Sequence, residues 1–215
     1  YVVPWWSVEH NIDTWWCLDL ADQLYGSGTV NYREVADVMQ AALLTTTYGW
    51  DGTDGIFWQG GVAAGGSNTP DGMHALDTHT WGAALLTKWT RISDANHSLQ
   101  RANQFYYVTD AATGLSGYTT FTPVDGYPSN TVMTPWYEGS FGAALALRGL
   151  DVHGADVLMQ TLVKGQRSDG SYLYALQDDP VNDIHAWPCI IASAWNILAL
   201  SGDGTDSPRI IWPAA

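Results

Sequence analysis

Basic residues are scarce in this chain: eight Lys and Arg stand against 22 Asp and Glu, giving a formal net charge of −14 over 215 residues. So acidic a surface repels nucleic acid and anionic membranes, and neither fits as a partner. Strongly anionic polysaccharides are disfavoured for the same reason, whereas neutral or mildly charged glycans are not. No run of eighteen apolar residues occurs, so no helix is predicted to span a membrane. Two cysteines, Cys17 and Cys189, are too few for a disulfide framework or a Cys-based zinc site. Each lies in an apolar helical stretch, where a buried free thiol fits better than a disulfide, although a closing ring could bring the two together. There is no initiating Met before Tyr1 and no leader pattern, which reads as a processed chain or a segment of a longer protein.

Phenylalanine is scarce too, with four residues against twelve Trp and eleven Tyr. A core that needs only bulk has no use for indole N–H and phenol O–H groups, which must be satisfied when buried. The excess therefore suggests wet, amphipathic surfaces such as the floor of a sugar-binding cleft. Several of these tryptophans are also expected to pack between small-residue helices.

Three segments share one pattern: a Gly-rich or aromatic loop, a Trp or an acid near a helix start, then a helix of small and aliphatic residues. They end in LDTHTWGAALLTKW, WYEGSFGAALALRGL and HAWPCIIASAWNILALSG, and alignment puts Trp81, Phe141 and Trp195 in register at steps of 60 and 54 residues. The opening stretch, PWWSVEHNIDTWWCLDLADQL, is a divergent fourth copy with Trp15 in the same place. Amphipathic helices are predicted between the copies at Asn31–Thr46, Ser93–Val108 and His153–Lys164. Alternating inner and outer helices are the pattern of an all-α, α/α-toroid fold. A complete six-hairpin ring needs about 300 residues or more, so roughly seven helices with long loops make an incomplete ring. The expectation is a single toroid domain over residues 1–215, forming the C-terminal part of a longer protein, with a further segment or another chain completing the ring.

Parallel inner helices would open their N-termini on one rim. Glu9, His10, Asp13, Asp77, His79, Glu138, Asp183 and His185 would then converge there. Trp5, Trp6, Trp58, Trp81, Trp136, Tyr137 and Trp187 lie beside them in the sequence. Carboxylates next to aromatic platforms suit glycoside chemistry, in which one acid protonates the leaving oxygen and a second attacks or activates water. Glu138, Glu9 and Asp77 are the catalytic candidates, with Glu138 and Glu9 the favoured pair. Trp6, His10, Asp13, Trp58, Trp81, Trp136, Tyr137, His185 and Trp187 are the substrate-binding ones. Acids in a first helical turn are also favoured by the macrodipole, so Asp13 and Asp77 read equally well as caps.

The runs SVEHNID, DTHTWGAALL, WYEGSFGAALAL and DGSYLYALQDD, followed by HAWPCIIASAWNILAL, resemble bacterial extracellular proteins of the six-hairpin-glycosidase type. The likeness extends from Trp6 to about Gly202. It implies an (α/α) barrel, cleavage of glycosidic bonds by paired acids, an extracellular or periplasmic location, and cleft positions for Glu9, His10, Asp13, Asp77 and Glu138. The alternative is a non-catalytic carbohydrate-binding or surface-assembly protein on the same scaffold.

Other motifs are weaker. EGSFG lacks the first glycine of a nucleophile elbow, so serine-hydrolase chemistry is not supported. The five-residue spacing of His74 and His79 around Asp77 is not a helical zinc pattern. The Asp178, Asp179, Asp183 loop reads as a solvated loop more readily than as a Ca²⁺ site. No metal and no cofactor is expected.

Overall fold

The computed structural model describes residues 5–26, 28–64 and 67–201. Seven α-helices occur among the described residues. They are α1 (Val8–Tyr25), α2 (Tyr32–Leu43), α3 (Leu76–Lys88), α4 (Ile92–Phe105), α5 (Tyr137–Arg148), α6 (Val152–Leu162) and α7 (Ile190–Ser201). The chain divides into two compact units, residues 1–74 and 75–215.

In the first unit α1 and α2 form an antiparallel helical hairpin. Ser7 caps α1 by accepting from the His10 N–H, and Asn31 caps α2 by accepting from the Glu34 N–H. Arg33 of α2 joins the two helices: its guanidinium bonds Asp19 at 2.7 Å and lies 5.5 Å from the Trp15 ring centre. A three-stranded antiparallel sheet accompanies them, with Gly60–Ala64 between Trp5–Ser7 and Ser67–Pro70. The Gly-rich stretch expected as loop therefore pairs as strand. A Cβ on Gly60 would stand 2.3 Å from the Trp6 carbonyl oxygen, so that close pairing depends on glycine. Cys17, expected to be buried, is an exposed free thiol on α1.

In the second unit α3, α5 and α7 pack side by side, with α4 against α3 and α6 against α5. This is the alternation expected from the repeats. Predicted and observed ends differ by a few residues because the caps differ. Asp151, which accepts from the Gly154 N–H, starts α6. Neither α3 nor α5 has a side-chain cap. Main-chain bonds satisfy their first turns instead. Leu76 N–H donates to Thr120 at 3.1 Å, Trp136 N–H to Tyr118 at 2.8 Å, and Tyr137 N–H to Tyr174 at 2.9 Å. Tyr174 N–H donates in turn to Trp187 at 2.7 Å, just ahead of α7. Antiparallel pairing of Tyr172–Leu173 with Pro188–Cys189 adds to this tie. The N-termini of the three helices are thus laced together at one end, as the repeat requires.

Glycines set the spacing of the inner layer. Trp81 of α3 and Trp195 of α7 stack at 5.3 Å and 19°, and a Cβ on Gly142 of α5 would lie 2.7 Å from Trp81 Nε1. Gly139, one helical step earlier, lies under Trp136: its Cβ would be 2.2 Å from Trp136 Cζ3. Ser140 between them is fully buried, and its hydroxyl accepts from the Tyr118 N–H at 2.8 Å. The serine of EGSFG is therefore a tie between α5 and the strand Ser116–Tyr118. A buried carboxylate, Asp125, accepts from the Tyr106 hydroxyl at 2.6 Å and from Arg101, pinning the loop after that strand to α4. On α7, Ile190 is 88% exposed and Ile191, Ile197 and Leu200 are exposed as well. No helix follows α7 among the described residues.

Replacing an exposed helical Gly by Ala ordinarily stabilises by about 1 kcal/mol. At Gly142 the sign reverses, because the stacked Trp81 ring has no room to yield. Gly142→Ala is expected to destabilise by about 1–3 kcal/mol in urea unfolding. A neutral or stabilising result would show that α3 and α5 do not approach as described.

Candidate functional site

Asp77 sits in the first turn of α3 and Glu138 in the first turn of α5. Since α3 and α5 take their first-turn bonds from the main chain, neither acid serves as an N-cap. Asp77 is buried and Glu138 half-buried. Both act on the hydroxyl of Tyr174. Burial first, and then the negative charges of Glu138 and Asp77, together raise that phenol to about 12. The charges of two acids 61 positions apart in the sequence therefore act on one phenol. Tyr174 is held there by the main-chain bonds to Tyr137 and Trp187 and by edge-on contact with Trp136, 5.9 Å between ring centres. It is a candidate that the sequence pattern alone did not single out. Its signal was the YLYAL alternation, which turns Tyr172 and Tyr174 to the same side of an extended segment.

The neighbouring aromatics divide into two kinds. Trp81, Trp136 and Tyr137 are buried. Trp136 covers Gly139, and the Tyr137 hydroxyl lies against Gly165, 1.7 Å from where a Cβ would stand. Trp187 is different: 63% exposed, it lies flat on His185 at 4.2 Å and 5°. His185 is oriented by Asp183 at 2.9 Å. The result is a rigid, open aromatic plate bonded through its own carbonyl to Tyr174.

The Asp-rich loop before it is closed on itself. The Asp179 N–H and C=O flank Ile184 in an isolated bridge, Asp178 accepts from the Ala186 N–H at 2.7 Å, and Asp179 accepts from Asn182 at 2.6 Å. Among the described residues no group of three His, Cys, Asp or Glu is placed to hold a metal ion. His79 is buried, with its ring edge-on to Tyr106 of α4.

The remaining candidates belong to the first unit. Glu9 and Asp13 lie on α1 with His10 between them, and His10 and Asp13 are exposed. Partial burial raises the Glu9 carboxyl above its ordinary value. His10 opposes that shift and Asp13 adds to it. Exposed by area, the Asp13 carboxyl is still partly desolvated by the groups around it and raised, again opposed by His10. Trp58 stacks on His74 at 4.8 Å and donates its indole N–H to the Thr46 carbonyl at 2.9 Å. Trp6 is half-buried and meets Tyr48 edge-on at 5.8 Å.

No protein-family profile and no curated protein sequence matches the chain. Solved structures do. A glycoside hydrolase of family 105 from C. acetobutylicum ATCC 824 superposes with a TM-score of 0.58 at 13% identity, over 89% of this chain and 57% of that one. A family 88 glycosyl hydrolase from Bacteroides vulgatus aligns over 78% of this chain and 47% of that one, with TM-score 0.41 and 15% identity. The chain thus spans little more than half the length of the first of these. The first is an α/α toroid, and it establishes the fold here as that of the α/α-toroid class.

An acid whose folded pKa is raised holds its proton more tightly in the folded state. Glu9 therefore costs stability once pH rises above its unfolded value near 4.5, and that cost disappears below it. Carboxyl NMR titration of the folded protein is expected to place Glu9 above 4.5, higher still in His10→Ala and lower in Asp13→Asn. Identical midpoints in all three proteins would contradict the placement of these side chains.

Proposed function

We propose that the protein is a secreted glycoside hydrolase, extracellular or periplasmic, that cleaves a neutral or mildly charged poly- or oligosaccharide at the rim formed by the α3, α5 and α7 N-termini. The observation that carries this reading is the common action of Asp77 and Glu138 on Tyr174, beside the exposed Trp187 plate. In the reaction one carboxylic acid gives its proton to the glycosidic oxygen as the C–O bond breaks. The other carboxylate attacks the anomeric carbon or removes a proton from the attacking water. The apolar face of a sugar rests on Trp187, as stacking requires. Glu9, raised by burial, is the third acid of the proposal and keeps its proton to a higher pH than an exposed glutamate does. A further segment or a second chain completes the ring.

The test is release of reducing ends from a panel of neutral glycans. Glu138→Gln and Asp77→Asn are each expected to lower turnover by about 10²–10⁴-fold at unchanged fold, and Glu9→Gln by at least tenfold. Turnover that survives all three changes ends this assignment.

A second reading rests on the Trp187–His185 plate, which could bind sugar without any acid chemistry. A non-catalytic carbohydrate-binding or surface-assembly protein would bind glycan equally well before and after Glu138→Gln and would hydrolyse none. Loss of binding in Trp187→Ala is common to both readings, so hydrolysis decides between them.

A further inference from the structure

The first unit contains a cavity of about 210 Å³ that the proposed reaction does not use. Trp6, Asn11, Met39, Ala42, Leu43 and Tyr48 line it, where the start of α1 and the end of α2 meet the strand Trp5–Ser7. We propose that this cavity binds a neutral aromatic ring bearing one hydroxyl, a phenol-type group.

Its walls fix the ligand's shape and polarity. Trp6 and Tyr48 meet at 61°, so a flat ring can lie on one and present its edge to the other. Met39 supplies a thioether, which makes favourable contact with aromatic edges, and Ala42 and Leu43 supply aliphatic surface. No charged side chain is in the lining, so an ionised ligand would be desolvated without a partner. The volume falls below the roughly 300–1,000 Å³ of drug-sized sites and suits one ring.

Apart from the Trp6 indole N–H, which is buried, the polar groups are two, and their roles are set. The Asn11 amide nitrogen donates to the Ser7 carbonyl at 2.6 Å, which orients Oδ1 as an acceptor. The Tyr48 oxygen accepts from Asn68 at 2.5 Å, which leaves its own proton to donate. One acceptor and one donor match a single hydroxyl. A bare pyranose carries several hydroxyls, and those turned toward Met39, Ala42 and Leu43 would each lose water without replacement. Aromatic C–H edges incur no such cost.

The proposal is independent of the hydrolase reading and is tested on the whole chain by calorimetry and ligand-observed NMR. The probes are phenol, toluene, methyl β-D-glucopyranoside and phenyl β-D-glucopyranoside. Phenol is expected to bind, toluene to bind about tenfold more weakly, and methyl glucoside not to compete with phenol. Ala42→Trp, which fills the cavity, should abolish phenol binding. Asn11→Ala should remove the preference for phenol over toluene while leaving toluene binding intact, and it keeps the test decisive if Ala42→Trp does not fold. Phenyl glucoside, whose aryl oxygen carries no proton to give Asn11, is expected to bind about as weakly as toluene, and binding as tight as phenol would overturn the match to a single hydroxyl. Phenol binding unchanged in both variants, equal affinity for phenol and toluene in the parent, or competition by methyl glucoside would overturn it.

Discussion

The inner helices of residues 75–201 are positioned by a relay of main-chain hydrogen bonds that runs across their N-terminal ends. Thr120 and Tyr118 accept from Leu76 and Trp136, Tyr174 accepts from Tyr137, and Trp187 accepts from Tyr174. An N-cap side chain would have satisfied each helix separately and left the three ends free to move apart. Using strand backbone as the cap satisfies the same orphan N–H groups and fixes neighbouring helices to each other in one operation. The relay also brings together residues that no short motif would join: an aspartate on one helix, a glutamate on the next, and a tyrosine between two short strands.

The close packing behind that rim depends on the absence of side chains. Gly139 and Gly142, three residues apart on α5, give Trp136 and Trp81 room to approach the helix closely. The tryptophan excess is thus divided by position. Trp81 and Trp136 are spacers packed in the core, while Trp187 stands open on its histidine support. A polar indole is tolerable in both places, but only the open one can meet a ligand.

Much of this could be read from the sequence, because the repeat is written in residue type as well as in period. The LDTHTWGAALL and WYEGSFGAALAL helices differ in detail yet carry the same small-residue face and the same first-turn acid. That was enough to predict three parallel inner helices and to place Asp77 and Glu138 at a common end. Strand pairing was harder to see. Gly60–Ala64 has almost no side-chain pattern, and its register is set by what it packs against, Trp5 and Trp6. Tyr174 was overlooked for a similar reason: an extended triplet shows too little alternation to say which tyrosine turns toward an acid. The presence of α7 was legible but not its start, because Pro188–Cys189, read as helix, pairs as strand and the helix begins at Ile190. Its exposed isoleucines depend on what surrounds it, which no local pattern encodes.

The central claim is that Asp77, Glu138 and Tyr174 share one site, and ionisation of that phenol reports on it directly. Tyrosines labelled at the ring carbon bearing oxygen can be followed by NMR from pH 9 to pH 12.5, with Tyr174→Phe assigning the signal and circular dichroism monitoring the fold. Tyr174 is expected to titrate at about 12 in the parent. It should fall toward 10 in Glu138→Gln and in Asp77→Asn, and furthest in the double variant, while retaining the part of the shift that burial causes. A midpoint that neither substitution moves would mean that the two carboxylates do not meet at this phenol, and the site as described would not exist.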